Sequence, residues 1–266
     1  MTDGYWRCPS LEKADHALIP DRKTIDSYKD VETVKKLARE NWSIPGFSGY
    51  ILPVWLGMEA LVYGRQILQG RDYPLPGKYC IHKLKDIEDF EFDLLRDPLI
   101  QAVLETIRQC REEPLILEVQ APFSILAGLM DPMDLYLCFT EEGERLKDIL
   151  EKLTAASTDY IRAGLKAGCR FISLADPVGT MDLVGPDHYR DFCGPSEVSL
   201  LKQCRPYLDG AVIHLCMKMS RSLVLAGLAE ALPGDSVYNP EARITGMTCI
   251  HREGAGLEEA SLIRLF

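Results

Sequence analysis

Four short apolar runs divide this chain after position 95, and each gives way at once to polar groups or thiols. They are Leu115–Val119 (LILEV), Phe171–Ala175 (FISLA), Ala211–Ile213 (AVI) and Ile244–Met247 (ITGM). Between them lie helical stretches: 98–110, 132–139, 142–167, 186–208 and 220–232. In the longest, Leu146, Ile149, Leu150 and Leu153 fall three and four apart, the period of a helix with one buried face, and Gly168 stands where a helix should stop. Strand, helix, strand, helix is the pattern of a parallel sheet covered by its own crossovers. The final residues, 261–266, read as a last short strand.

The 266 residues fit one α/β barrel better than two domains. The expected fold is α/β, a (β/α)8 TIM-barrel-like single domain over 1–266. Its N-terminal part is shortened, because 1–29 carries no clear periodicity and reads as an irregular segment. After it, Asp30–Asn41 reads as a helix with Asp30 as its cap, and Gly46–Val54 as a strand. In such a fold the active site lies at the C-terminal ends of the strands. No Gly-x-Gly-x-x-Gly turn and no Walker A loop occurs, so a nucleotide-binding doubly wound sheet is not indicated.

The strand ends carry Asp176, His214, Cys216 and Cys249. His214 and Cys216 stand at i and i+2, which in an extended strand face the same side. An imidazole and a thiol so placed can reach one ion, and Cys249, after the next apolar run, supplies a third soft donor. This N/S/S set suits zinc and leaves one tetrahedral position open for substrate. The competing reading is that these cysteines simply pack.

The formal net charge of −10 argues against nucleic acid, whose phosphates need a basic surface, and against an acidic membrane. Nine cysteines, an odd number with no Cys-x-x-Cys, fit a reducing compartment with mostly free thiols. The polar, charged stretch Met1–Lys36 has no secretory signal, and the reading is a cytoplasmic protein.

Several segments resemble the uroporphyrinogen decarboxylase superfamily. Glu118–Gly128 (EVQAPFSILAG) is similar to its GPFT-x-A-G segment. Ala167–Pro177 (AGCRFISLADP) and Gly185–Phe192 (GPDHYRDF) are similar to its AGAD-x-I-x-x-x-DP and SP-x-x-YREF signatures. His214-Leu215-Cys216 with the later Cys249 resembles the His-x-Cys … Cys zinc pattern of the cobamide-dependent methyltransferase branch, which includes the methylcobamide:coenzyme M methyltransferases. Ile244–Arg252 resembles the close of bacterial members, GH-x-C-I-x-R. The likeness runs from about Asp30 to the end of the chain. It departs in lacking the strand and helix that open the family, and in lacking the arginine-rich RQAGR segment with which decarboxylases grip an acidic tetrapyrrole.

This resemblance implies a zinc-dependent methyltransferase that moves a methyl group from a methylated corrinoid, carried by a small partner protein, to a small thiol. His214, Cys216 and Cys249 would hold the zinc. Glu59, in a segment resembling the family's EAEALG turn, would be a fourth ligand displaced by the thiol; the alternative is a solvated helix glutamate. Asp176 would orient ligand or substrate; the alternative is a turn carboxylate before Pro177. His188, Tyr136 and Phe139 read as structural, and Cys193 and Cys204 as one core-facing helix stripe. His251 and Arg252 read as residues of the cleft or of a polar loop. The alternative functions are a uroporphyrinogen decarboxylase-like enzyme and a non-catalytic corrinoid-binding relative.

Overall fold

The computed structural model describes residues 30–41, 50–52, 57–64, 67–68, 75–76, 79–111, 113, 115–232, 244–250 and 260–266. Its strands are β1 (Tyr50–Leu52), β2 (Ile67–Leu68), β3 (Leu75–Pro76), β4 (Leu115–Gln120), β5 (Phe171–Ala175), β6 (Val212–Leu215), β7 (Ala229–Leu232), β8 (Ile244–Gly246) and β9 (Ser261–Leu265). Its main helices are α1 (Val31–Asn41), α2 (Met58–Val62), α3 (Pro98–Gln109), α4 (Pro122–Leu129), α5 (Pro132–Glu141), α6 (Gly143–Ala167), α7 (Gly194–Cys204) and α8 (Met217–Leu225). Two helical turns, Met181–Val184 and Pro186–His188, and a π-helical turn, Tyr189–Cys193, lead from β5 into α7.

β2 and β3 pair with each other, and the remaining strands form one sheet in the order β1-β4-β5-β6-β8-β9-β7. β1, β4, β5, β6 and β8 run parallel, in register Leu117↔Ile172, Ser173↔His214 and His214↔Thr245. The expected alternation of strand and helix is therefore present. Among the described residues the sheet is open rather than closed into a barrel, and its far edge is antiparallel: β9 pairs antiparallel with both β8 and β7. Residues 1–29 lie outside the described residues.

β4 explains why the sheet is central. All six of its residues are buried, as expected of a parallel strand covered on both faces. α6 supplies much of that cover. It packs against α3, α4, α5, α7 and β4, with Leu146, Ile149, Leu150, Leu153 and Ile161 buried. Removing one such leucine from water contributes about 1.5–3 kcal/mol. The helix stops where its sequence says it should. Gly168 adopts φ 119°, a left-handed conformation, and its N–H and that of Cys169 donate to the Gly164 carbonyl.

Two expectations need correction. The segment 220–232, rich in Ala and Leu, reads as one helix, but α8 ends at Leu225 and Ala229–Leu232 is β7. Gly227 turns the chain at φ 73°, and Ala229–Leu232 then pairs residue by residue with β9. That pairing outweighs the weak helical preference of Ala, Glu and Leu. The segment after Gln120, outside the helical stretches read from the sequence, is also helical. It is α4, with Pro122 in its first turn, where a missing N–H costs nothing.

Candidate functional site

The C-terminal ends of β4, β5, β6 and β8 bring the candidate residues to one end of the sheet. At β6, His214 is wholly buried between neighbours on both sides, opposite Ser173 of β5 and Thr245 of β8. Its Nδ1 lies 3.0 Å from Thr245 Oγ1 and its Nε2 lies 3.1 Å from the Thr248 carbonyl oxygen. A carbonyl only accepts, so Nε2 is the nitrogen that donates in this contact. The Phe171 ring stacks beside the imidazole at 6.2 Å.

Cys216 follows immediately, at the start of α8. Its N–H donates to Leu174 O at 2.9 Å, which extends the parallel pairing with β5 by one step. It is half-buried, while Cys249 is buried just beyond β8. The contact from His214 to Thr248 O sets the imidazole against the peptide that joins Thr248 to Cys249. The β6 and β8 ends are thus adjacent, as the reading of a shared site requires. Beside them the Thr248 hydroxyl is buried with no hydrogen-bond partner among the described residues. Among the described residues no group of three or more His, Cys, Asp and Glu side chains is arranged to hold a metal ion.

Glu59 sits on α2 and is 1% exposed, so it is not a solvated helix glutamate. Its Oε1 accepts from the Gln120 N–H at 2.9 Å, tying α2 to the end of β4. Burial is the main cause that pushes this carboxyl up to about 7; the nearby Glu118 adds to it and the Gln120 bond opposes it.

Asp176 stands at the end of β5 and is fully buried. Its Oδ1 accepts from Ser124 Oγ at 2.5 Å and from Gly179 N at 2.6 Å. It is therefore more than a turn carboxylate before Pro177. A side chain at position 179 would collide with this carboxylate, which is why a glycine closes the turn. The sequence did not single out Glu197, on α7, which is also fully buried and close enough to Asp176 for the charge of one to act on the other. The Tyr189 hydroxyl donates to Glu197 Oε2 at 2.6 Å. Burial is the leading cause that raises both carboxyls above the ordinary range. The signal was legible in principle: Cys193, Glu197, Leu200, Leu201 and Cys204 form one buried helical stripe with an acid in it.

The loop after β5 also reaches α8. Met181 N donates to Ser222 Oγ at 3.1 Å, and Lys218 pairs with Asp182 at 3.1 Å. His188 stacks on Phe139 at 4.5 Å and Phe139 on Phe123 at 5.5 Å, so these rings are packing groups, as read from the sequence. Cys193 and Cys204 are core residues, whereas Tyr136 is 36% exposed. His251 and Arg252 lie outside the described residues. Among the described residues no helix is long and apolar enough to cross a membrane.

Comparison with known proteins places this geometry. The family model described as uroporphyrinogen decarboxylase (URO-D) matches residues 13–241. The methylcobamide:CoM methyltransferase MtaA of Methanosarcina barkeri is 25% identical over 240 residues, covering 83% of this chain and 70% of its own length. The methylcobamide:CoM methyltransferase MtbA of Methanosarcina acetivorans is 22% identical over 205 residues, covering 74% of this chain and 60% of its own. A solved methyltransferase from Methanosarcina mazei superposes with a TM-score of 0.61 at 21% identity, over 84% of this chain and 66% of that one. This likeness in three dimensions shows a shared fold.

Proposed function

Because the chain belongs to the uroporphyrinogen decarboxylase family, we propose that it is a corrinoid-dependent methyltransferase, moving a methyl group from a methylated corrinoid to a small thiol. The names of the methylcobamide:CoM methyltransferase relatives support this reading. Within the molecule, one observation carries it: the contact of His214 Nε2 with Thr248 O, which brings the His214–Cys216 strand end against the segment that holds Cys249. The net charge of −10 weighs against a tetrapyrrole bearing many carboxylates as substrate.

The donor types fit zinc: one imidazole and two thiols, from His214, Cys216 and Cys249, would hold it, and Glu59 would be a fourth donor that gives way to a substrate thiol. To serve, His214 would give up its Thr248 contact and carry its proton on Nδ1, facing Thr245 Oγ1, so that Nε2 could hold the ion. Bound there, zinc would supply a thiolate near neutral pH by lowering the pKa of an incoming thiol. The remaining work falls to the chain. Thr245 fixes the plane of the imidazole through Nδ1, as a ligand histidine requires. Phe171 keeps water from one face of that ring. Glu59, with its carboxyl near 7, holds or releases a proton near neutral pH. The methyl donor is taken to be a corrinoid on a small partner protein, the enzyme to be cytoplasmic, and the chain to be one barrel-like domain.

The test is elemental analysis together with loss of the methyl–cobalt absorbance of methylcobalamin in the presence of several thiols. Native protein is expected to carry about one zinc per chain and to demethylate with at least one thiol. His214→Ala is expected to lose zinc affinity by more than the 10- to 100-fold typical of residues that merely support a ligand. Equal zinc content and equal rates in both proteins would remove the proposal.

A further inference from the structure

Two buried carboxyls meet with no cation between them. Asp176 and Glu197 are both at 0% exposure. Among the described residues neither has a Lys, Arg or His as an ion-pair partner. Each has one oxygen well supplied with donors: Asp176 Oδ1 by Ser124 Oγ and Gly179 N, and Glu197 Oε2 by the Tyr189 hydroxyl. The other oxygens, Asp176 Oδ2 and Glu197 Oε1, receive no N–H or O–H among the described residues, and each carboxyl lies close enough to act on the proton affinity of the other. Two acceptors bond only through a proton. Two adjacent ionised carboxylates out of water repel strongly, and one shared proton removes both problems.

We propose that Asp176 and Glu197 hold a single proton between them as a carboxylic acid–carboxylate pair, and that this pair positions the start of α8, which carries Cys216. The mechanical path is on hand. Asp176 gathers the turn 176–179 through Gly179 N, and Ser124 Oγ receives Val178 N at 3.4 Å. The same loop then grips α8 through Met181 N to Ser222 and through Asp182 to Lys218. Glu197 anchors the whole to α7. The π-helical turn serves this arrangement, because it presents Tyr189 to Glu197. A side chain at Gly194 would also meet the Tyr189 ring.

Among the described residues the groups facing the pair are Ser124 from α4, Tyr189 and the Cys193 thiol from the π turn, and Tyr136 of α5, which feels the charge of Asp176. None is a cation. A native state that keeps a proton the unfolded chain has released loses stability as pH rises, so its unfolding equilibrium constant grows about tenfold per pH unit on that account.

The proton is tested without any assay of activity. Infrared spectra at pH 8.5, above the value of about 7 at which Glu59 ionises, are expected to show the carbonyl stretch of a neutral carboxylic acid in native protein. It should vanish in Glu197→Gln and in Asp176→Asn, where an amide N–H replaces the shared proton. Over pH 7–8.5 the ratio of native to Glu197→Gln unfolding constants should rise about tenfold per pH unit. Identical spectra, or a ratio flat with pH, overturn the pair. Should both variants fail to fold, the native spectrum alone decides, since absence of the band at pH 8.5 also overturns it. The positioning role rests on the proposed methyl transfer and is read separately. Native protein should lose kcat at alkaline pH as the shared proton leaves, and Glu197→Gln should lack that limb. A band that behaves as expected beside an unchanged alkaline limb refutes the positioning role alone. A band without any turnover instead counts against methyl transfer, and urea midpoints over the same pH range, with Lys218→Met as the broken link, then decide positioning: an α8 protected equally from hydrogen exchange in native and Lys218→Met protein refutes it.

Discussion

Replacing Glu59 by Gln should stabilise the metal-free protein at neutral and alkaline pH. Glu59 is 1% exposed, and its Oε1 accepts the Gln120 N–H at 2.9 Å. Its carboxyl rises from the ordinary 4.5 to about 7, chiefly because burial penalises the charge. At about 1.4 kcal/mol for each tenfold change in acidity, that difference is about 3 kcal/mol. The sign follows from which state releases its proton first. Unfolded chains ionise near 4.5 while the native protein holds its proton to about 7, so stability is full below 4.5, falls between these values and levels off above them. Glutamine keeps the Gln120 bond through its carbonyl and removes the ionisation. Native and Glu59→Gln proteins should therefore be alike near pH 4.5, and above pH 7 the variant should gain up to about 3 kcal/mol, less about 1–2 kcal/mol if the new NH2 group finds no acceptor. The assay is urea unfolding by circular dichroism from pH 4.5 to 8.5 after chelation. A variant less stable than native at pH 8, or one with the same pH dependence, would refute the reasoning, because it would mean that the ionised carboxylate is stabilised by its surroundings. If Glu59 serves the reaction, the gain in stability should come with lost turnover, the usual conflict at functional sites.

Three further outcomes are expected. Thr245→Val should leave His214 Nδ1 without its partner at 3.0 Å and cost about 1–3 kcal/mol in urea unfolding; an unchanged midpoint would mean the hydrogen bond is not formed in solution. Gly179→Ala should force a side chain against the Asp176 carboxylate, costing about 1–3 kcal/mol, and heat-induced unfolding should show the loss. Ile172→Ala, in the fully buried centre of β5, should cost about 2–5 kcal/mol by leaving a cavity, and a loss under 1 kcal/mol would place that residue outside the tight core.

The sequence by itself determined the class of fold and where its chemistry collects. Apolar runs with helical spacing between them leave few arrangements other than a covered parallel sheet, and polar residues at the run ends fall on one end of it. The stop at Gly168 and the core-facing Cys193 and Cys204 were legible because each depends on local geometry. What the sequence did not determine depends on distant partners. Ala229–Leu232 is a strand only because β9 lies beside it, and the sheet's open, antiparallel edge follows from that pairing. In the sequence Glu59 reads as a zinc-ligand candidate or a solvated helix acid and Glu197 is not singled out, and only packing makes one a buried carboxyl near 7 and the other a neighbour of Asp176. Charge in a sequence is a property of a residue, whereas burial and proton affinity belong to the neighbours that folding supplies.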